Sequence, residues 1–166
     1  MKKSLLNALP YLIAGTLLAI QFLLSIFAGR AYCILSLPDV LNVMYYMGWA
    51  TWAFAVILLF LPYFTGGETR PRKGRAEDSG FSTTGIFSVI RHPENLGWIL
   101  VYMALILFRP DLPIIFVGAA GMACVYIISR LEDGKFVKKF GKSYRTYMQD
   151  VPAMNLAAGI VRRLKH

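Results

Sequence analysis

The sequence predicts an all-α integral membrane bundle of about four transmembrane helices, with a helical hairpin and a C-terminal amphipathic helix at the membrane surface. Three observations lead there. The 166 residues are 57% hydrophobic, above the ~45–50% apolar content of an average soluble domain. Several apolar runs approach the ~20 residues that cross a ~30 Å hydrocarbon core. The basic residues lie between and after those runs, where they would meet lipid headgroups.

The first run extends from about Leu9 to Ala28 and closes at Gly29-Arg30. The Met-Lys-Lys start followed by apolar residues is similar to a signal peptide. No clear small-x-small cleavage site precedes a soluble domain, so it is read as a retained first span. The second run, about Val43 to Phe64, is rich in aromatics and ends at Thr65-Gly66-Gly67. A polar connection follows, from Thr65 to Thr84, with Pro71 and mixed charges, which reads as a partly mobile surface loop.

The third run, Leu96 to Phe108, would rise only roughly 20 Å as a helix, so its helix is expected to begin earlier, near Pro93. Proline suits a first helical turn. Arg109-Pro110-Asp111-Leu112-Pro113 then forms a tight connection to a fourth run, Ile114 to Ser129, giving a helical hairpin. From Leu131 to Met148, Phe136, Val137, Phe140, Tyr144 and Tyr147 form an apolar stripe, with Lys135, Lys138, Lys139, Lys142 and Arg145 elsewhere. That pattern suits a helix lying on a membrane, either as an anchor or as a lid. Gly141 marks a bend or close packing within it. The tail, with Arg162, Arg163 and Lys165, reads as another basic contact with lipid.

With four spans, Arg30 and Arg109 fall on one side and every other basic residue on the opposite side. This asymmetry places both termini and the central loop in the cytoplasm of a multi-pass inner or cytoplasmic membrane protein. The net charge of +9 is thereby assigned to lipid rather than to nucleic acid. Cys33 and Cys124 lie in or beside apolar runs and read as small buried hydrophobes. The chain is expected to be a single domain, 1–166, with residues 1–64 forming the first two spans.

Chemistry concentrates at two places. Arg91-His92-Pro93-Glu94-Asn95-Leu96-Gly97 precedes the third run, and Glu132-Asp133 follows the fourth. Ionisable groups at the mouth of a span are costly to dehydrate and read as a functional site. In a hairpin arrangement the two clusters would be neighbours. Dinucleotide fingerprints, phosphate loops and serine elbows are missing, and two histidines alone, His92 and His166, exclude a multi-histidine metal centre. Carboxylates suit ribose hydroxyls or a cationic amine, while His and Arg suit a carboxylate. A zwitterion carrying a ribose and an amino-acid group would satisfy both walls, and S-adenosylmethionine is such a molecule. The plainer reading is an Arg91–Glu132 ion pair that only stabilises the bundle.

The segment Thr84-Gly85-Ile86-Phe87-Ser88-Val89-Ile90-Arg91-His92-Pro93-Glu94-Asn95-Leu96-Gly97 resembles the Arg-His-Pro signature of the isoprenylcysteine carboxyl methyltransferase and phospholipid methyltransferase superfamily. Glu132-Asp133-x-x-Phe136-x-x-x-Phe140-Gly141-x-x-Tyr144-x-x-Tyr147 resembles that superfamily's second element. The resemblance covers roughly Thr84 to Pro152. It implies a membrane-embedded, S-adenosylmethionine-dependent methyltransferase with a cytoplasmic cofactor pocket formed by residues 84–152. By carry-over, His92, Pro93 and Gly97 would hold the cofactor, Glu132 and Asp133 would contact or position it, and Tyr144 and Tyr147 would help close the pocket. Asn95 stands where the family usually carries Tyr, so an amide replaces the phenol or the contact is lost. Asp133 is one methylene shorter than the usual Glu, and Gln149-Asp150 replaces the common Arg before Val151-Pro152.

Arg91 and Glu132 are the candidate catalytic residues, Arg91 either orienting an acidic group or locking Glu132. The expected partners are membrane lipids and a lipophilic methyl acceptor (a prenylcysteine carboxylate, a phospholipid amine or a small thiol), with neither nucleic acid nor metal. An NADPH-dependent membrane reductase of related architecture and a non-catalytic lipid-binding subunit are the alternatives.

Overall fold

A computed structural model describes residues 2–27, 37–64, 81 and 83–164. Arg30, Cys33, most of the central loop and the last two residues lie outside the described residues. The elements among the described residues are all helical: α1 (Lys2–Phe27), α2 (Pro38–Phe64), a short 3-10 turn at Gly85–Ser88, α3 (Pro93–Phe108), α4 (Leu112–Phe140), α5 (Lys142–Asp150) and α6 (Leu156–Leu164). Among the described residues, three helices are long and apolar enough to cross a membrane: Ala8–Phe27 within α1, α2 and α4. α3 is the shorter apolar helix, and it begins at Pro93, as the rise argument requires.

By contacts the chain forms two units. Residues 1–57 and 97–128 make the first, which holds α1, most of α2, and the facing stretches of α3 and α4. Its core is small: Ala14, Tyr102, Val125 and Ile128 are buried, with Leu17, Leu18, Ile99, Met122 and Cys124 packed against them. The hydroxyl of Tyr102 donates to the carbonyl of Ala14. Gly121 admits the Tyr102 ring, because any Cβ there would collide with it. Gln21 is fully buried, and its amide donates to the carbonyls of Tyr102 (3.2 Å) and Ile114 (3.3 Å), tying α1 to both arms of the hairpin. The hairpin turn is fastened by Arg109, whose Nε lies 2.8 Å from Asp111 and whose Nη1 donates to the carbonyl of Ser25 at 2.8 Å. Bulky apolar side chains such as Leu12, Phe22, Tyr46 and Phe116 remain exposed on these helices, which is a surface for hydrocarbon rather than water.

The second unit comprises residues 58–96 and 129–166. Here the structure departs from the expected element boundaries. Instead of a span ending at Ser129 and a separate helix over Leu131–Met148, α4 runs unbroken from Leu112 to Phe140. The break falls at Gly141, with φ 61° and ψ −126°, a backbone conformation open essentially to glycine alone. The apolar stripe is thus split between the end of α4 and α5. Its rings meet around Phe81, whose centroid lies 5.2 Å from Phe140, 5.1 Å from Tyr144 and 5.3 Å from Tyr147.

Candidate functional site

The charged residues of both sequence elements, Arg91 to Glu94 and Glu132-Asp133, belong to the second unit, and the chain's local geometry brings them together. Gly85, with φ 62°, opens the 3-10 turn, and the Ser88 hydroxyl closes it by donating to the Gly85 carbonyl at 2.6 Å. Ile90 is fully buried. The backbone amides of Arg91 and His92 then donate to the carbonyls of Pro152 and Ala153, both at 3.0 Å. Those bonds fix the approach to α3. The His92 carbonyl accepts from the Leu96 amide, 3.1 Å, as the first bond of the helix, and the buried Pro93 needs no donor there. Gly97 is buried one turn further along α3.

The other half of the cluster comes from α4 and α5. Asp133 Oδ1 accepts three hydrogen bonds: from Arg91 Nη1 at 3.1 Å, from His92 Nε2 at 2.8 Å and from the Tyr144 hydroxyl at 2.8 Å. Glu132 Oε2 accepts from Asn95 Nδ2 at 2.8 Å and faces His92 Nδ1 at 3.4 Å. Arg91 therefore pairs with Asp133, while Asn95 and His92 engage Glu132. The amide of Asn95 does hold a partner, and that partner is a carboxylate. Tyr147 turns elsewhere: its hydroxyl donates to the carbonyl of Phe87, so it braces the 3-10 turn against α5. The two tyrosine rings remain neighbours at 5.7 Å.

The electrostatics follow from this geometry. Burial by itself would pull the His92 imidazole below its ordinary 6.5, but hydrogen bonds to Asp133 and Glu132, reinforced by their charges, outweigh it and raise the pKa. With a carboxylate at each ring nitrogen, the doubly protonated imidazolium is the form that satisfies both. Burial pushes the Tyr144 phenol up, with Asp133 adding to the shift. Burial also pushes Tyr147 up. Both phenols stay protonated at neutral pH and can act as donors.

The side chains of Arg91, His92 and Asp133 are nearly inaccessible, at 5–6% exposure, whereas Glu132 reaches 26%. The cluster is dry on the Asp133 side and open on the Glu132 side. Three buried polar atoms in this unit have no hydrogen-bond partner among the described residues: Arg91 Nε, Asp133 Oδ2 and Ser129 Oγ. Unmatched buried groups are rare and call for an explanation. A donor and an acceptor left over in one cluster match a ligand carrying both a carboxylate and an amine or hydroxyls, so the residues present fit a zwitterionic cofactor. Ser129 was not anticipated. It lies four residues before Asp133, hence on the same helix face, and its only sequence signal is a polar residue closing an apolar run.

Among curated proteins, the chain is 27% identical over 119 residues to a methanethiol S-methyltransferase of Pseudomonas deceptionensis, an alignment covering 68% of this chain. The chain spans 43% of that relative's length. No model of a known protein family matches the chain, and no solved structure matches it. In fold the chain is a helical membrane protein, and in sequence it is similar to a methyltransferase.

Proposed function

We propose that this chain is an integral membrane methyltransferase that uses S-adenosylmethionine and methylates a small thiol. The observation that carries the proposal is the convergence of Arg91, His92 and Asn95 with Glu132 and Asp133 in one largely dry cluster. The likeness to a thiol methyltransferase favours a thiol over the prenylcysteine carboxylate and the phospholipid amine that the sequence also admits.

Arg91 would hold the cofactor's carboxylate through its unmatched Nε, and Asp133 its amine or ribose hydroxyls through its unmatched Oδ2, once the ligand enters from the open Glu132 side. His92, Asn95 and Tyr144 hold the two acids in place by the bonds described above. Pro93 and Gly97 shape the backbone at the start of α3, and Tyr147 keeps the 3-10 turn beside α5. Bound here, S-adenosylmethionine would supply an electrophilic methyl group. The chain's task is to hold the acceptor in line at about 3 Å, where orientation alone lowers the barrier by several kcal/mol. A thiol reacts as its thiolate. Glu132, the more accessible acid, is the group suited to take the thiol proton, and Arg91 serves by fixing the acid pair and the ligand carboxylate.

Calorimetry on the detergent-solubilised full chain tests the cofactor. Saturable binding of S-adenosylhomocysteine without binding of NADPH is expected. NADPH binding alone would favour a reductase, and binding of neither a non-catalytic subunit. Headspace chromatography with S-adenosylmethionine and methanethiol should then detect dimethyl sulfide, and its absence beside a methylated lipid would reassign the acceptor.

A further inference from the structure

α6 packs with its small side inward. Gly159 is buried, and a Cβ there would collide with the carbonyl of Val89. The large side faces outward: Ile160 is 46% exposed, Val161 52% and Leu164 82%. On a helical wheel these three fall on one face with Leu156; Arg163 borders that face beside Leu156, while Arg162 lies on the opposite side. Arg162 is aimed rather than loose, since its Nη1 donates to the carbonyl of Gln149 at 2.8 Å. Beside it lies a cleft of about 600 Å³ lined by Ser88, Gln149, Asp150, Arg162 and Arg163. An apolar outer face bordered by arginines is the pattern of a helix lying in a headgroup layer.

We infer that α6 is an in-plane membrane anchor that docks on an anionic phospholipid leaflet, with Ile160, Val161 and Leu164 at the acyl boundary and Arg162 and Arg163 among the headgroups. The chain supplies the setting, because other helices of the same polypeptide are long and apolar enough to cross a bilayer. Charge selects the lipid, since arginines near an anionic surface favour contact with it. A second copy of the chain is a poorer occupant. Three apolar side chains on a nine-residue helix offer far less than the ~800 Å² each partner contributes to a stable dimer.

Site-directed spin labelling tests this in nanodiscs of phosphatidylglycerol or phosphatidylcholine. Single cysteines replace Asn155, Ile160 or Leu164 in a C33S/C124A background. In the anionic discs, labels at 160 and 164 should collide more often with oxygen than with a water-soluble nickel chelate, and the label at 155 should show the reverse. R162Q/R163Q should move the label at 164 toward water. In the unaltered chain, a photoactivatable phosphatidylglycerol should cross-link to residues 156–164 about fivefold or more above the phosphatidylcholine analogue. Nickel-accessible labels at 160 and 164, equal cross-linking by both lipids, or dipolar coupling between labels on two chains would each overturn the assignment.

Discussion

The imidazole Nε2 of His92 lies 2.8 Å from Asp133 Oδ1, an oxygen that also accepts from Arg91 and Tyr144. One carboxylate oxygen thus bridges two basic side chains and ties them to Tyr144 on the helix beyond the Gly141 corner.

Replacing Asp133 by Asn preserves shape but strands Arg91 in a buried setting and leaves a protonated His92 with Glu132 alone. Removing one partner of a buried ion pair costs about 3–5 kcal/mol. Denaturant titration in mixed micelles should show a loss of that order, together with loss of S-adenosylhomocysteine binding. An unchanged midpoint would mean that Asp133 is not the hub of the cluster.

The raised pKa of His92 fixes the sign of a pH effect. The folded-state value lies above the ordinary 6.5, so the stabilisation is complete below pH 6.5 and fades as pH rises through the folded-state value. Thermal midpoints should therefore fall on the alkaline side of 6.5. H92Q should flatten that slope, and an identical slope in the variant would exclude His92 as its source.

Gln21 makes two long hydrogen bonds to helix carbonyls, and its Oε1 has no partner among the described residues. Interhelical polar contacts in bilayers average about 0.6 kcal/mol. Q21L, which keeps the volume, should stay within about 1 kcal/mol of the parent, whereas Q21A should lose about 2 kcal/mol or more by opening a cavity. Equal losses in both variants would show that the amide matters more than the packing.

Gly141 occupies a backbone region that other residues reach only under strain of about 1–3 kcal/mol. Nothing crowds the position, so G141A tests the backbone alone. It should destabilise the α4–α5 corner and weaken S-adenosylhomocysteine binding through Tyr144, with both effects measured on the same preparation. A silent variant would show that the corner tolerates other conformations.

The apolar helices and both charged elements were legible in the sequence, because long hydropathic runs and ionisable residues at their ends are strong, local signals. Pro93 as a helix start was readable for the same reason. Partner choice was not. Arg91 sits on Asp133 rather than Glu132, and neighbouring acids differ only in how the helix aims them. The corner at Gly141 looked like a bend because a stripe at 3–4 spacing continues across it, and periodicity does not register a single positive φ. The docking of Arg91 and His92 on Pro152 and Ala153 runs through backbone atoms, which carry no side-chain signature.

That last contact has a consequence for biogenesis. Among the described residues, the amides of Arg91 and His92 donate to the carbonyls of residues 152 and 153. A nascent chain stalled before that point could thread its apolar segments into the bilayer while the Arg91-His92 backbone still lacked those acceptors. Backbone docking of the Arg91-His92 segment therefore waits for the emergence of a short stretch that bears none of the ionisable groups itself.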